Sequence, residues 1–156
     1  MPVSGFSSFI NIIWVDAHAL SMALMEWTDD LSVSVKEIDE QHKKLIGLIN
    51  SLHAAMLAKQ GKQVLEKTIE ELAAYTVYHF KTEENYMQKF AYPQYYFHKK
   101  EHDAFVKKVG DFQADFSSGK LGLSVEIMNF QKDWVTNHIK GTDKGYSATF
   151  HKNGLN

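Results

Sequence analysis

Apolar residues recur every three or four positions along four stretches of the chain, with polar and charged residues between them. That spacing marks helices with one buried face. The first stretch, over 38–59, puts Ile38, Leu45, Ile46, Ile49, Leu52 and Met56 on one stripe, and Gly61 closes it. The second, over 62–89, runs through Val64, Leu65, Ile69, Leu72, Tyr75 and Phe80. The third opens at "YPQ", where Pro93 suits a first helical turn, and continues through Phe105, Val109, Phe112 and Phe116. The fourth, over 122–142, carries Ile127, Phe130, Trp134, His138 and Ile139. The linkers "KQGKQ", "FAYPQ" and "SSGKLGLS" are short, which favours antiparallel neighbours. The pattern predicts an all-α protein, an antiparallel up-down-up-down four-helix bundle over 26–146. An extra N-terminal segment (1–25) precedes it, and a C-terminal tail (147–156) follows.

Composition narrows the classes. A chain of 156 residues with 44% apolar and 23% charged positions fits one ordinary globular domain. The N-terminal run "FSSFINIIWV" is apolar, yet no lysine precedes Lys36, and Asp16 and His18 interrupt it. It reads as neither a secretory signal nor a membrane span, which needs about twenty apolar residues. Residues 1–25 are expected to be disordered or laid against the bundle. Arginine is absent, which weighs against nucleic-acid recognition. No cysteine is present, so disulfides, iron–sulfur ligation and thiol nucleophiles are excluded and a cytoplasmic setting is expected. Eight histidines then make nitrogen the expected donor to any metal.

Helical positions i and i+4 lie about 40° apart on one face. "HFKTE" therefore aims His79 and Glu83 together, and "HKKEH" does the same for His98 and His102. His42 accompanies the inward Leu45 and Ile46, and His138 follows Trp134 by one turn, with Asp143 five residues on. Five imidazoles and two carboxylates in a small core would each need its own partner. A shared metal site satisfies them together. They exceed one tetrahedral zinc but suit two six-coordinate ions. One ion takes His98, His102 and His138, the other takes His42 and His79, and Glu83 and Asp143 bridge them. With a solvent-derived third bridge, the three-histidine ion is saturated and the two-histidine ion keeps an open position. Five residues in a regular helix separate two directions by about 140°, so a π-like turn or early termination is expected near Gly141.

These motifs, "IDEQHKKL", "HFKTEENYM", "YP…HKKEHDAF" and "WVTNHIKGTDKGY", resemble those of the hemerythrin family, specifically its single-domain bacterial members. The resemblance spans about 26–146. It implies two iron ions (Fe2+/Fe3+) with a bridging oxo or hydroxo group and reversible O2 binding at the iron held by His42 and His79. Phe80, Trp134 and Val135 would wall the O2 pocket, with Val135 where the family usually has leucine. Tyr146 is a candidate outer partner of the ligands. Ser34 replaces a common glycine in the loop before the first helix. A di-iron oxidase, a peroxidase, a nitric-oxide-handling enzyme and an O2 sensor module are the alternatives. The imidazole-rich donor set and the lack of a placed acid, base or nucleophile favour a carrier over an enzyme. The expected protein is a monomer that spans no membrane and hands O2 to an oxygen-consuming enzyme. Glu84 is expected as a surface charge, His53 in a core or bundle-end role, and His18 and His151 in solvent.

Overall fold

A computed structural model describes residues 23–120 and 122–156. A short 3-10 turn, Asp29–Leu31, leads into α1 (Lys36–Leu57), α2 (Lys62–Lys89), α3 (Tyr95–Ser117) and α4 (Val125–Asn137). The chain then continues without a break through a π turn (His138–Thr142), a 3-10 turn (Asp143–Tyr146) and a short helix, α5 (Ser147–Lys152). No strand occurs among the described residues. The four long helices form the antiparallel up-down-up-down bundle that the apolar periodicity predicts: α1 packs on α2 and α4, and α2 on α3.

Local chemistry explains the helix ends. The Asp39 carboxylate, in the first turn of α1, accepts the Val33 amide at 2.8 Å and the Ser32 hydroxyl at 2.5 Å, which ties the incoming loop to the helix. Ser34 in that loop has φ of +57°, the left-handed region that favours glycine. Ser124 caps α4 by accepting the Ile127 amide. Pro93 does not enter the first turn of α3, which begins at Tyr95. Ala91, in the turn between α2 and α3, is left-handed at φ of +51°.

The core at one end of the bundle is apolar, built from residues such as Leu52, Ile69, Phe112, Phe116 and Met128. The other end, where α1 and α3 begin and α2 and α4 finish, gathers the buried polar groups. The C-terminal tail packs at that end. Phe150 is fully buried and stacks on Tyr146 with ring centroids 4.3 Å apart, because the π turn returns the chain to the bundle face. Of the N-terminal appendage, residues 1–22, including His18, lie outside the described residues. Met25 is buried, and its amide and carbonyl bond the Asn50 side chain at 3.0 and 2.8 Å. Among the described residues no helix is long and apolar enough to cross a membrane.

Candidate metal centre

Antiparallel packing brings the seven predicted donors together from all four helices. His42 comes from α1, His79 and Glu83 from α2, His98 and His102 from α3, and His138 and Asp143 from the π and 3-10 turns that continue α4. Each is at most 5% exposed. Their donor atoms fall into two groups: His98, His102 and His138 with both carboxylates, and His42 and His79 with the same two carboxylates. The carboxylate oxygens divide between the groups. Glu83 turns Oε1 toward His42 and His79, each 3.5 Å away, and Oε2 toward His102 at 3.3 Å. Asp143 turns Oδ2 toward His42 at 3.2 Å, and Oδ1 toward His98 at 3.0 Å and His138 at 3.1 Å.

The π turn is what brings Asp143 in. Its amide donates to the His138 carbonyl, an i to i+5 bond that widens the turn and lets both side chains share a face. Gly141 supplies neither space nor an unusual backbone here: a Cβ at this position meets nothing within 4 Å, and its φ is not positive.

The sequence reading missed three outer residues. His79 Nδ1 donates to Gln41 Oε1 at 3.0 Å, His102 Nδ1 to Glu84 at 3.0 Å, and His138 Nδ1 to Glu101 at 2.8 Å. Glu84 is therefore no free surface charge. Each outer residue sits one position from a candidate donor on its own helix and supports a candidate donor on the next. A residue rotated about 100° from the core-facing direction lies at the helix–helix seam, behind the neighbouring donor. The adjacency in "QH", "EE" and "EH" was the available signal. Tyr146, fully buried, donates to Glu83 Oε1 at 2.6 Å. Burial, then the charges of Glu83 and Asp143, hold its hydroxyl well above its ordinary pKa, so it remains a donor.

The donor set fits cations. With Nδ1 of His102 and His138 donating outward, their Nε2 lone pairs face inward, yet Nε2 of His102 lies 3.1 Å from that of His98 and 3.0 Å from that of His138. Bare lone pairs converging in this way call for a positive charge between them. Glu83 Oε2, both Asp143 oxygens and both His42 nitrogens also lack hydrogen-bond partners. Without a metal, protons fill that need. Burial pushes the His42 and His102 imidazoles down, but the close approach and charge of the neighbouring carboxylates outweigh it and raise both to about 9. His79 goes the other way, with burial dominating and holding it at about 4. Burial and the neighbouring Asp143 push Glu83 up, and the surrounding imidazoles overcome them to leave it well below the usual carboxylate range.

Aromatic rings pack the other side. Phe80 stacks on His102 at 3.8 Å, Trp134 stacks on His138 at 4.4 Å, and Phe105 stacks on Trp134 at 3.9 Å. Phe80 and Val135 are 4% and 3% exposed, whereas Trp134 is only partly buried. His53 is also partly buried, away from both donor groups, with Nδ1 unbonded. His151 is exposed but donates from Nε2 to the Ser34 carbonyl at 2.6 Å.

Fold and site together define a four-helix-bundle protein with a buried histidine–carboxylate centre arranged for two cations. A sequence model for the family described as "Hemerythrin HHE cation binding domain" matches residues 33–149. The chain belongs to the hemerythrin family. It is 37% identical over 126 residues to a bacteriohemerythrin of Stenotrophomonas maltophilia, covering 81% of each chain. It is equally identical over 126 residues to a bacteriohemerythrin of Methylococcus capsulatus, covering 80% of this chain and 95% of that one. A crystal structure of wild-type hemerythrin superposes with a TM-score of 0.78 at 36% identity, covering 81% of this chain and 98% of the other.

Proposed function

We infer that this chain carries or stores dioxygen, binding it reversibly at a non-haem di-iron centre. The observation that supports this most directly is the division of Glu83 and Asp143, each with one oxygen toward the two-histidine group and the other toward the three-histidine group. In this reading His98, His102 and His138 hold one iron, His42 and His79 hold the other, and Glu83 and Asp143 belong to both. Iron bound there would supply the electrons and the open coordination position for dioxygen uptake, on the side held by His42 and His79.

The chain's own residues do the rest. Gln41, Glu84 and Glu101 each hold an imidazole Nδ1 proton, so Nε2 is presented inward as a lone pair. Tyr146 keeps Glu83 in place. Phe80, Trp134 and Val135 exclude bulk water from the pocket, and five neutral imidazoles against two carboxylates favour the reduced metal pair and hence release.

Elemental analysis with an optical test checks the reading. Two irons per chain are expected. The reduced protein should be colourless, gain a visible band in air and lose it under vacuum through repeated cycles. One iron or none would overturn the proposal, and irreversible oxidation with substrate turnover would assign the chain to an oxidase. His79→Ala should abolish dioxygen binding, and retained binding would overturn the choice of the open side.

A further inference from the structure

One buried polar side chain is left unpaired well away from the carboxylates. Gln131 on α4 is only 4% exposed, yet its Oε1 accepts no hydrogen bond from the protein. An amide oxygen held dry and unpaired is costly, and native interiors rarely keep one. Gln131 lines an interior cavity of about 10 Å³, together with Leu45, Thr76, Phe105 and Val135. Thr76, 3% exposed, contributes the other polar wall. Its hydroxyl donates to the Leu72 carbonyl at 2.8 Å, which leaves Oγ1 free to accept. The remaining lining is apolar.

Gln131 and Thr76 both line the cavity and each carries an oxygen free to accept, in a space of about one water-sized molecule. A single occupant that donates twice would satisfy Gln131 Oε1 and use the free acceptor of Thr76. Dioxygen, nitric oxide and noble gases carry no proton and cannot, and larger polar molecules do not fit. We propose that the core of this bundle holds one buried water molecule, donating to Gln131 Oε1 and Thr76 Oγ1 and resting against Val135.

The place is significant. Thr76 precedes His79 by three residues and Gln131 precedes Val135 by four, so the water sits about one helical turn up the bundle from groups assigned to the centre. Val135 lines the cavity and belongs to the apolar wall of the proposed dioxygen pocket. Under the dioxygen-carrier reading, on which this consequence alone rests, the water is an internal solvent molecule at the wall of a pocket that otherwise presents apolar groups.

Three measurements test the proposal. A high-resolution crystal structure of the intact chain should show one water within hydrogen-bond distance of both Gln131 Oε1 and Thr76 Oγ1. An empty cavity, or xenon entering it under pressure, would overturn the site. On the metal-free chain, Thr76→Val should lower the melting temperature when residue 131 is glutamine and lose most of that effect in the Gln131→Leu background. Equal shifts in both backgrounds would mean that no shared water couples the two side chains, and would overturn the proposal independently of any metal or dioxygen. In the iron-loaded chain, Gln131→Leu should lengthen the life of the air-induced visible band several-fold. An unchanged lifetime overturns the link to the dioxygen pocket, and failure to form the band at all counts against the carrier reading instead.

Discussion

At the scale of single residues, the side chains behind the candidate donors hydrogen-bond them and hold their orientation. Glu101 is half exposed, yet its Oε2 accepts hydrogen bonds from His138 Nδ1 and from the Thr142 hydroxyl. With the two irons proposed for the centre, Glu101→Ala should leave the metal content at two while weakening iron affinity roughly 10–100-fold, as loss of an outer partner typically does. A metal titration of the stripped protein measures this. The titrating imidazoles give a pH dependence with a definite sign. His42 and His102 are raised from 6.5 to about 9 in the metal-free fold, so the stability they contribute is complete below 6.5 and drains away as pH rises toward 9. His79, held at about 4, runs oppositely and loses its contribution as pH falls below 6.5. Metal binding displaces protons, so the rise in melting temperature caused by iron should grow between pH 6.5 and 9. A rise that shrinks over that range would contradict the protonation of His42 and His102. Ser34 offers a simpler test. Its left-handed backbone costs a non-glycine residue about 1 kcal/mol, part of which glycine's greater freedom when unfolded cancels. Ser34→Gly should therefore stabilise the chain by about 0.5 kcal/mol in denaturant unfolding.

At the scale of elements, the π turn decides whether α4 can donate twice. A regular helix would carry Asp143 about 140° away from His138, and the i to i+5 bond removes that conflict. Gly141 lies inside the turn but is not required by it, since its Cβ space is open. Gly141→Ala should leave iron content unchanged and raise stability by about 0.5–1 kcal/mol through helix propensity. Loss of iron in that variant would show that the turn needs glycine's flexibility. The same turn carries the chain on into α5, where Phe150 seals the end of the bundle beneath Tyr146.

At the scale of the whole molecule, the site is a tie between four helices. Five imidazoles and two carboxylates are buried at one end, with several oxygens and nitrogens unpaired. A ligand that binds only the folded state stabilises it in proportion to the logarithm of its concentration over Kd. Stripping iron should therefore lower the melting temperature while leaving far-ultraviolet helical signal largely intact, because the apolar end of the core does not depend on the metal. Complete unfolding on chelation would show that the metal, rather than hydrophobic burial, drives assembly.

Much of this could be read from the chain alone. The 3.6-residue period of apolar positions determines which face of each helix is buried, and burial of unpaired imidazoles is too costly to be accidental, so the bundle and its seven donors follow from local rules. The five-residue step from His138 to Asp143 called for a π-like turn or an early end of the helix, and the packed structure has the π turn. What lay beyond reach was everything set by how neighbouring helices meet. Glu84, Glu101 and Gln41 look like ordinary seam or surface residues until the adjacent helix brings an imidazole to them, and Thr76 and Gln131 are merely polar until four helices close a cavity around them. Periodicity along one helix specifies the direction of a side chain, whereas its partner depends on the rotation and offset of another helix, which only the packed structure decides.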